Sequence, residues 1–218
     1  MAQIRDDGSL VEAELALFLT EREIAACRLK KDSPARRNWL LGRLAVKAAA
    51  YRRWWFDPDR LAIINNEAGA PELMVNGRPK TTRSISISHT SGAAVGAVAE
   101  NPVGVDLERW ERPLSPQLID WAFSESERRL ALAPSGQEWP AGLALWCARE
   151  AAAKAWGIPL LNHLAQVRVK ATDWASGQLT VAGPGWVERV AVSRSGESGD
   201  YLLAVAGTGR RPTADKHK

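Results

Sequence analysis

The chain is poor in the residues that build cystine frameworks and thiolate metal sites. Its two cysteines, Cys27 and Cys147, stand far apart and outside any CxxC or Cys/His spacing. That excludes a zinc ribbon or a disulfide scaffold and leaves two free thiols suited to a reducing compartment. Long apolar runs are missing as well. Stretches such as Ala93 to Ala99 are far too short to span a bilayer, and the N-terminus, MAQIRDDGSLVEAEL, has two early aspartates and no apolar segment of a secretory signal. A cytoplasmic protein with no membrane partner is expected. Helix-turn-helix spacing, zinc fingers and an aromatic RNA-binding signature are also absent, so nucleic acid is not the expected partner.

What is present is enough apolar residue for a packed core, 45% of 218 residues, with ten tryptophans. The length suits one large domain or two small ones. Charge is unevenly spread. Residues 22–60 hold eleven Lys/Arg against four Asp/Glu, and residues 106–138 hold four against seven. A basic first half suits a phosphate-rich ligand or an acidic partner.

Apolar spacing predicts helices over 10–30 and 34–55, the first containing a Thr20–Glu23 capping box and the second opening near Pro34. The face of the second helix carries Arg36, Arg37, Arg43, Lys47, Arg52 and Arg53. Strands are expected at 61–64, after the Gly69-Ala70-Pro71 turn, at Ser84–His89, where Ser and Ile alternate, at Ala93–Ala99 and at Val103–Glu108, all as a meander on one sheet. The second half repeats the order. Helices are expected over Ser115–Phe123, from the Ser124–Glu127 capping box to Leu132, and over Pro140–Trp156 up to Gly157. Four strands follow, at 167–169, 178–181, 187–192 and 201–206, and then a polar tail. Helices followed by an antiparallel meander, twice, read as α+β. No residue-level repeat is visible between the halves.

Three features carry candidate chemistry. In Gly104-Val105-Asp106-Leu107-Glu108, the two carboxylates share one face of a strand. They repel each other unless a cation lies between them, and a hard divalent ion bound by oxygen does that. In Trp146 to Gly157, Glu150 and Lys154 share a helix face among small alanines. In Ile85 to Ser91, His89 stands at a strand end among serine hydroxyls, which suits a phosphate. Each feature alone also fits a solvated strand face, a surface ion pair or a turn histidine.

Taken together and in this order, Ser88-His89-Thr90, Gly104 to Glu108, Phe123 with Glu127, and Trp146 to Gly157 resemble the 4′-phosphopantetheinyl transferases of the surfactin-synthetase-activating type. That family's pattern runs Ser-His-Ser, Gly-[Ile/Val]-Asp-[Ile/Leu]-Glu, then Trp-x-x-Lys-Glu-x-x-x-Lys-x-x-Gly. Arg37 through Arg43 is similar to its basic N-terminal helix, and Gly69-Ala70-Pro71 to its Gly-Lys-Pro turn.

The resemblance implies a monomeric pseudo-dimer of two similar α+β halves, 1–102 and 103–207, with a flexible tail at 208–218 and a site in the cleft between the halves. It implies transfer of the 4′-phosphopantetheine arm of coenzyme A to a serine of an apo acyl, peptidyl or polyketide carrier protein, with release of adenosine 3′,5′-bisphosphate. Asp106, Glu108 and Glu150 are the implied ligands of Mg²⁺, with Mn²⁺ as the alternative. Glu150 and Lys154 are the implied catalytic pair, Lys154 at the leaving phosphate. Ser88, His89, Arg37 and Arg43 are the implied contacts of coenzyme A. Three positions depart from the pattern: Ala70 replaces the Gly-Lys-Pro lysine, Arg149 the lysine before the glutamate, and Thr90 the last serine. Two rivals are a non-catalytic coenzyme A or nucleotide-binding module and a two-carboxylate glycoside hydrolase. The second is disfavoured because Asp106 and Glu108 share one strand face.

Overall fold

The computed structural model describes residues 1–5, 17–28, 33–67, 69–132, 139–163 and 165–207. The chain divides into two units, Met1–Val103 and Gly104–Lys218. Each is built around one long helix laid on antiparallel strands.

In the first unit, α1 (Glu21–Arg28) and α2 (Pro34–Trp54) precede the strands β2 (Leu61–Asn65), β3 (Pro71–Val75), β4 (Arg78–Pro79), β5 (Ser84–Thr90) and β6 (Ala93–Ala99). Ser33 caps α2 by accepting the Arg36 N–H, and Pro34 sets its first turn. Leu40, Leu41, Leu44, Ala45, Val46, Ala49 and Ala50 are buried along it. The helix meets β6 so closely that a Cβ on Gly96 would lie 2.3 Å from the Val46 nitrogen.

The first predicted helix is shorter than its apolar spacing implied. Residues 17–20 form a turn, and α1 begins after Thr20. The Thr20–Glu23 capping box is present: the Thr20 N–H donates to Glu23 at 3.0 Å and the Glu23 N–H to the Thr20 hydroxyl at 3.4 Å. The remainder of that expected helix, 10–16 and 29–30, falls outside the described residues, as does the tail from 208.

The single meander is also corrected. The described strands of this unit, with β1 at Ala2–Arg5, form two three-stranded sheets, β2-β3-β4 and β1-β6-β5. β4 is only Arg78–Pro79, and proline has no N–H to offer a further strand. β1 (Ala2–Arg5), which no periodicity announced, pairs with β6 in the register Ala2↔Gly96. The serine face of β5 is covered too, since Ser86 and Ser88 are as buried as Ile85.

In the second unit, β7 (Gly104–Arg109) leads into α3 (Pro116–Ala122), α4 (Glu125–Leu130), α5 (Ala141–Trp156) and α6 (Leu160–His163). Strands β8 (Arg168–Asp173), β9 (Gln178–Gly183), β10 (Trp186–Ser195) and β11 (Tyr201–Ala206) follow. The sheet order is β7-β11-β10-β9-β8. β7, expected in the first meander, therefore joins the second unit through β11, with Asp106 opposite Ala204. The core is α5 on this sheet, with Leu143, Leu145, Val167, Val169, Leu179, Val181, Val190 and Leu202 among its buried members. Each such side chain contributes about 1.5–3 kcal/mol. Gly157 ends α5 with φ 68°, the left-handed conformation that lacks a Cβ penalty in glycine.

The Ser124–Glu127 box opens α4 with both of its hydrogen bonds formed. Glu127 has no solvent exposure. It accepts from the Ser124 N–H at 3.0 Å, the Ser124 hydroxyl at 2.7 Å, the Val169 N–H at 3.0 Å and Arg168 at 2.8 Å. Burial alone pushes its carboxyl up, but the bonds from Ser124, Arg168 and Val169 outweigh that and hold it below the usual glutamate value. A depressed folded-state pKa gives stability that is present above the unfolded value and lost as pH falls through the folded one. Glu127→Gln is therefore expected to flatten the loss of stability below about pH 4.5. Urea midpoints of both proteins across pH 3 to 7 check this.

Among the described residues, no helix is long and apolar enough to cross a membrane.

Candidate active site

The second unit brings four predicted residues together at the contact of β7 with α5. Small side chains make this possible. Ala148, Ala151, Ala152 and Ala155 line the buried side of α5, and Gly104 starts β7 with no side chain. A Cβ on Gly104 would lie 1.9 Å from the Ala151 carbonyl oxygen and 2.6 Å from the Ala155 nitrogen.

At this contact the Lys154 ammonium donates to the Asp106 carboxylate at 2.8 Å and to the Val105 carbonyl at 3.0 Å. Asp106 is buried, and the Lys154 side chain keeps 31% of its surface exposed. Glu108, two residues along the strand, is paired with Arg112. Burial pushes Lys154 down, but Asp106, through its charge and hydrogen bond, and Glu150 outweigh burial and raise it above the usual lysine value. The ammonium is therefore charged at any physiological pH.

Glu150 is pushed above the usual glutamate value, first by burial and then by the negative charges of Asp106 and Glu108, against the opposing pull of Lys154. Three carboxylates thus share a negative field, which Lys154, Arg112 and Arg149 oppose. Burial, with the charge and hydrogen bond of Asp106, also raises the Cys147 thiol well above its ordinary value. Cys147 is buried and outside any disulfide, so it is a neutral packing residue here and not a nucleophile.

The donor chemistry suits a hard divalent cation, since all three acids offer oxygen. No group of three or more His, Cys, Asp or Glu among the described residues is drawn together as a metal cluster. The local reason is visible in the pairs: Lys154 holds Asp106 and Arg112 holds Glu108.

The remaining predicted residues belong to the first unit. Ser88 is buried on β5 and His89 beside it is exposed. Arg37 is half-buried on α2. Arg43 is only 6% exposed; its guanidinium lies 3.6 Å over the Trp39 ring and donates to Asn65 at 3.2 Å. Desolvation lowers its pKa to about 10. Arg43 thus packs largely within its own unit. Two cations further along the chain could stand in for the lysine missing at Ala70: Lys80 is exposed, whereas Arg83 pairs with Glu100 at 2.6 Å and lies over Trp54.

Arg149, which stands where the family pattern has a lysine before the glutamate, does not face the Asp106–Lys154 pair. It has no exposure, donates to the Ala122 carbonyl at 2.6 Å and sits 3.6 Å from Glu127. A cavity of about 450 Å³ lined by Trp110, Trp139, Trp174 and Arg194 contains none of the predicted site residues.

Residues 102–206 match the family model of the 4′-phosphopantetheinyl transferase superfamily. Over 198 residues the chain is 25% identical to the 4′-phosphopantetheinyl transferase psf-1 of Bacillus pumilus, covering 90% of this chain and 81% of that protein. The family match spans β7 to β11, the segment that carries Asp106, Glu108, Glu150 and Lys154 in one local arrangement. The second unit thus matches the 4′-phosphopantetheinyl transferase superfamily, and the chain is similar over most of its length to a protein named as such a transferase.

Proposed function

We propose that this enzyme transfers the 4′-phosphopantetheine arm of coenzyme A to a serine of an apo carrier protein, in a Mg²⁺-dependent reaction. The observation that carries this reading is the Asp106–Lys154 pair at the contact of β7 with α5, with Glu150 one helical turn before Lys154. The serine oxygen forms a bond to the β-phosphorus, the phosphoanhydride bond breaks, and adenosine 3′,5′-bisphosphate leaves.

Glu150 takes the serine proton, directly or through a water. Lys154 has three N–H donors and spends two on Asp106 and Val105. The third suits an oxygen of the departing phosphate, where charge develops. Asp106, Glu108 and Glu150 would hold the divalent cation, which supplies charge neutralisation on the pyrophosphate when bound. Exposed His89, buried Ser88, half-buried Arg37 and largely buried Arg43 are the proposed contacts to coenzyme A phosphates. Fatty-acid, polyketide and nonribosomal-peptide carriers all remain candidate acceptors, and a monomeric, cytoplasmic enzyme is the proposed state.

Lys154→Ala is expected to lower kcat about a hundredfold and to change the KM for coenzyme A far less. A raised KM with unchanged kcat would contradict the leaving-group role. The function itself is tested by chromatography of the nucleotide products. Adenosine 3′,5′-bisphosphate should accumulate only when coenzyme A, an apo carrier and Mg²⁺ are all present. Coenzyme A binding without that product, across several carriers, would favour the non-catalytic binding module.

A further inference from the structure

The two units contain the same buried lock, although the sequence shows no repeat at residue level. In the first unit, Glu23 accepts the Thr20 N–H of its capping box at 3.0 Å and the Ile63 N–H of β2 at 3.0 Å. Lys47 of α2 pairs with it at 2.8 Å and donates to the Phe18 carbonyl at 2.8 Å. In the second unit, Glu127 accepts the Ser124 N–H of its box and the Val169 N–H of β8, and Arg149 of α5 faces it and donates to the Ala122 carbonyl. Phe18, Thr20, Glu23, Lys47 and Ile63 thus play the parts of Ala122, Ser124, Glu127, Arg149 and Val169. All four charged members are at most 2% exposed.

In both units the lock ties three elements: a short capped helix, the first strand that follows the long helix, and the long helix itself. Only in the second unit is the locking cation followed by a glutamate, Glu150; the residue after Lys47 is Ala48. The device therefore serves the fold in both places, and in one of them it adjoins the chemistry.

We infer that Arg149 is a positioning residue for the transfer reaction: its anchored guanidinium fixes the roll of α5, so that Glu150 and Lys154 face Asp106. A helix turns about 100° per residue. Glu150 thus lies about 100° round the helix from Arg149, and Lys154 about 40° beyond it. One side chain clamped on the buried side sets the direction of both others. The clamp is rigid because Glu127 is itself held by two main-chain N–H groups, the Ser124 hydroxyl and Arg168. With no exposure, the guanidinium has no surface to give to coenzyme A. This inference rests on the transfer reading above.

The test compares wild type with Arg149→Lys, Arg149→Met and Glu127→Gln, assayed well below each unfolding midpoint. Lysine does this work at position 47, so Arg149→Lys should keep kcat within about threefold. Arg149→Met and Glu127→Gln should lower kcat about 10- to 100-fold, as small misplacements of reacting groups do. All three should leave the KM for coenzyme A within about twofold. A tenfold rise in that KM for either Arg149 variant would overturn the inference by making Arg149 a ligand contact. Wild-type kcat in folded Arg149→Met, or in Glu127→Gln should the methionine variant not fold, would overturn it by leaving the lock purely structural. A wild-type protein that transfers nothing overturns the function and the positioning role together, whereas an active wild type beside unaffected variants overturns the positioning role alone.

Discussion

Asp106→Asn is expected to lower kcat/KM for phosphopantetheine transfer about a thousandfold and to leave the protein folded. The substitution keeps the size of the side chain and one carbonyl oxygen that can accept from Lys154. It removes the negative charge that raises Lys154 and contributes to the raised pKa of Glu150. Breaking a fully buried ion pair costs about 3–5 kcal/mol. The cost here is smaller, about 1–2 kcal/mol, because the Lys154 side chain is 31% exposed and keeps its bond to the Val105 carbonyl. Initial rates and a thermal unfolding midpoint, taken on the same preparation, separate the two effects. A wild-type rate in the folded variant would remove Asp106 from the chemistry.

Gly104→Ala is expected to destabilise the second unit by about 3 kcal/mol and to lower activity with it. The new methyl group would meet the Ala151 carbonyl oxygen at 1.9 Å and the Ala155 nitrogen at 2.6 Å. Both are main-chain atoms of α5, so no side-chain rotation relieves the clash, and helix and strand must separate. That separation acts on the contact that joins Asp106 to Lys154. Urea unfolding measures the cost through the shift in midpoint at constant slope. An unchanged midpoint would mean that β7 and α5 do not meet as described.

Much of this was legible in the sequence because it is local. The Ser124–Glu127 box, the Gly157 stop and the i, i+4 pair of Glu150 and Lys154 are each written within a few residues. The same holds for the shared strand face of Asp106 and Glu108. What escaped depends on partners far along the chain. β1 is four residues long and becomes a strand only by pairing with β6. Arg43 sits on a basic helix face, yet Asn65 and Trp39 draw it inside. Arg149 stands in place of the family pattern's lysine, and only the Ala122 carbonyl and Glu127 reveal which way it faces. The repeated lock is hidden because its positions tolerate exchange. Threonine and serine cap alike, lysine and arginine both reach a buried carboxylate, and the carbonyls of Phe18 and Ala122 serve equally whatever side chains they carry.

The measurement that tests the account most directly is the intact mass of an apo carrier protein after incubation with this enzyme, coenzyme A and Mg²⁺, beside an EDTA control and the Asp106→Asn variant. The account predicts a gain of one phosphopantetheine with the wild-type enzyme and Mg²⁺, and none with EDTA or with the variant. A gain that persists undiminished in EDTA, or with Asp106→Asn, would contradict the assignment of the β7–α5 carboxylates as the cation-dependent transfer site.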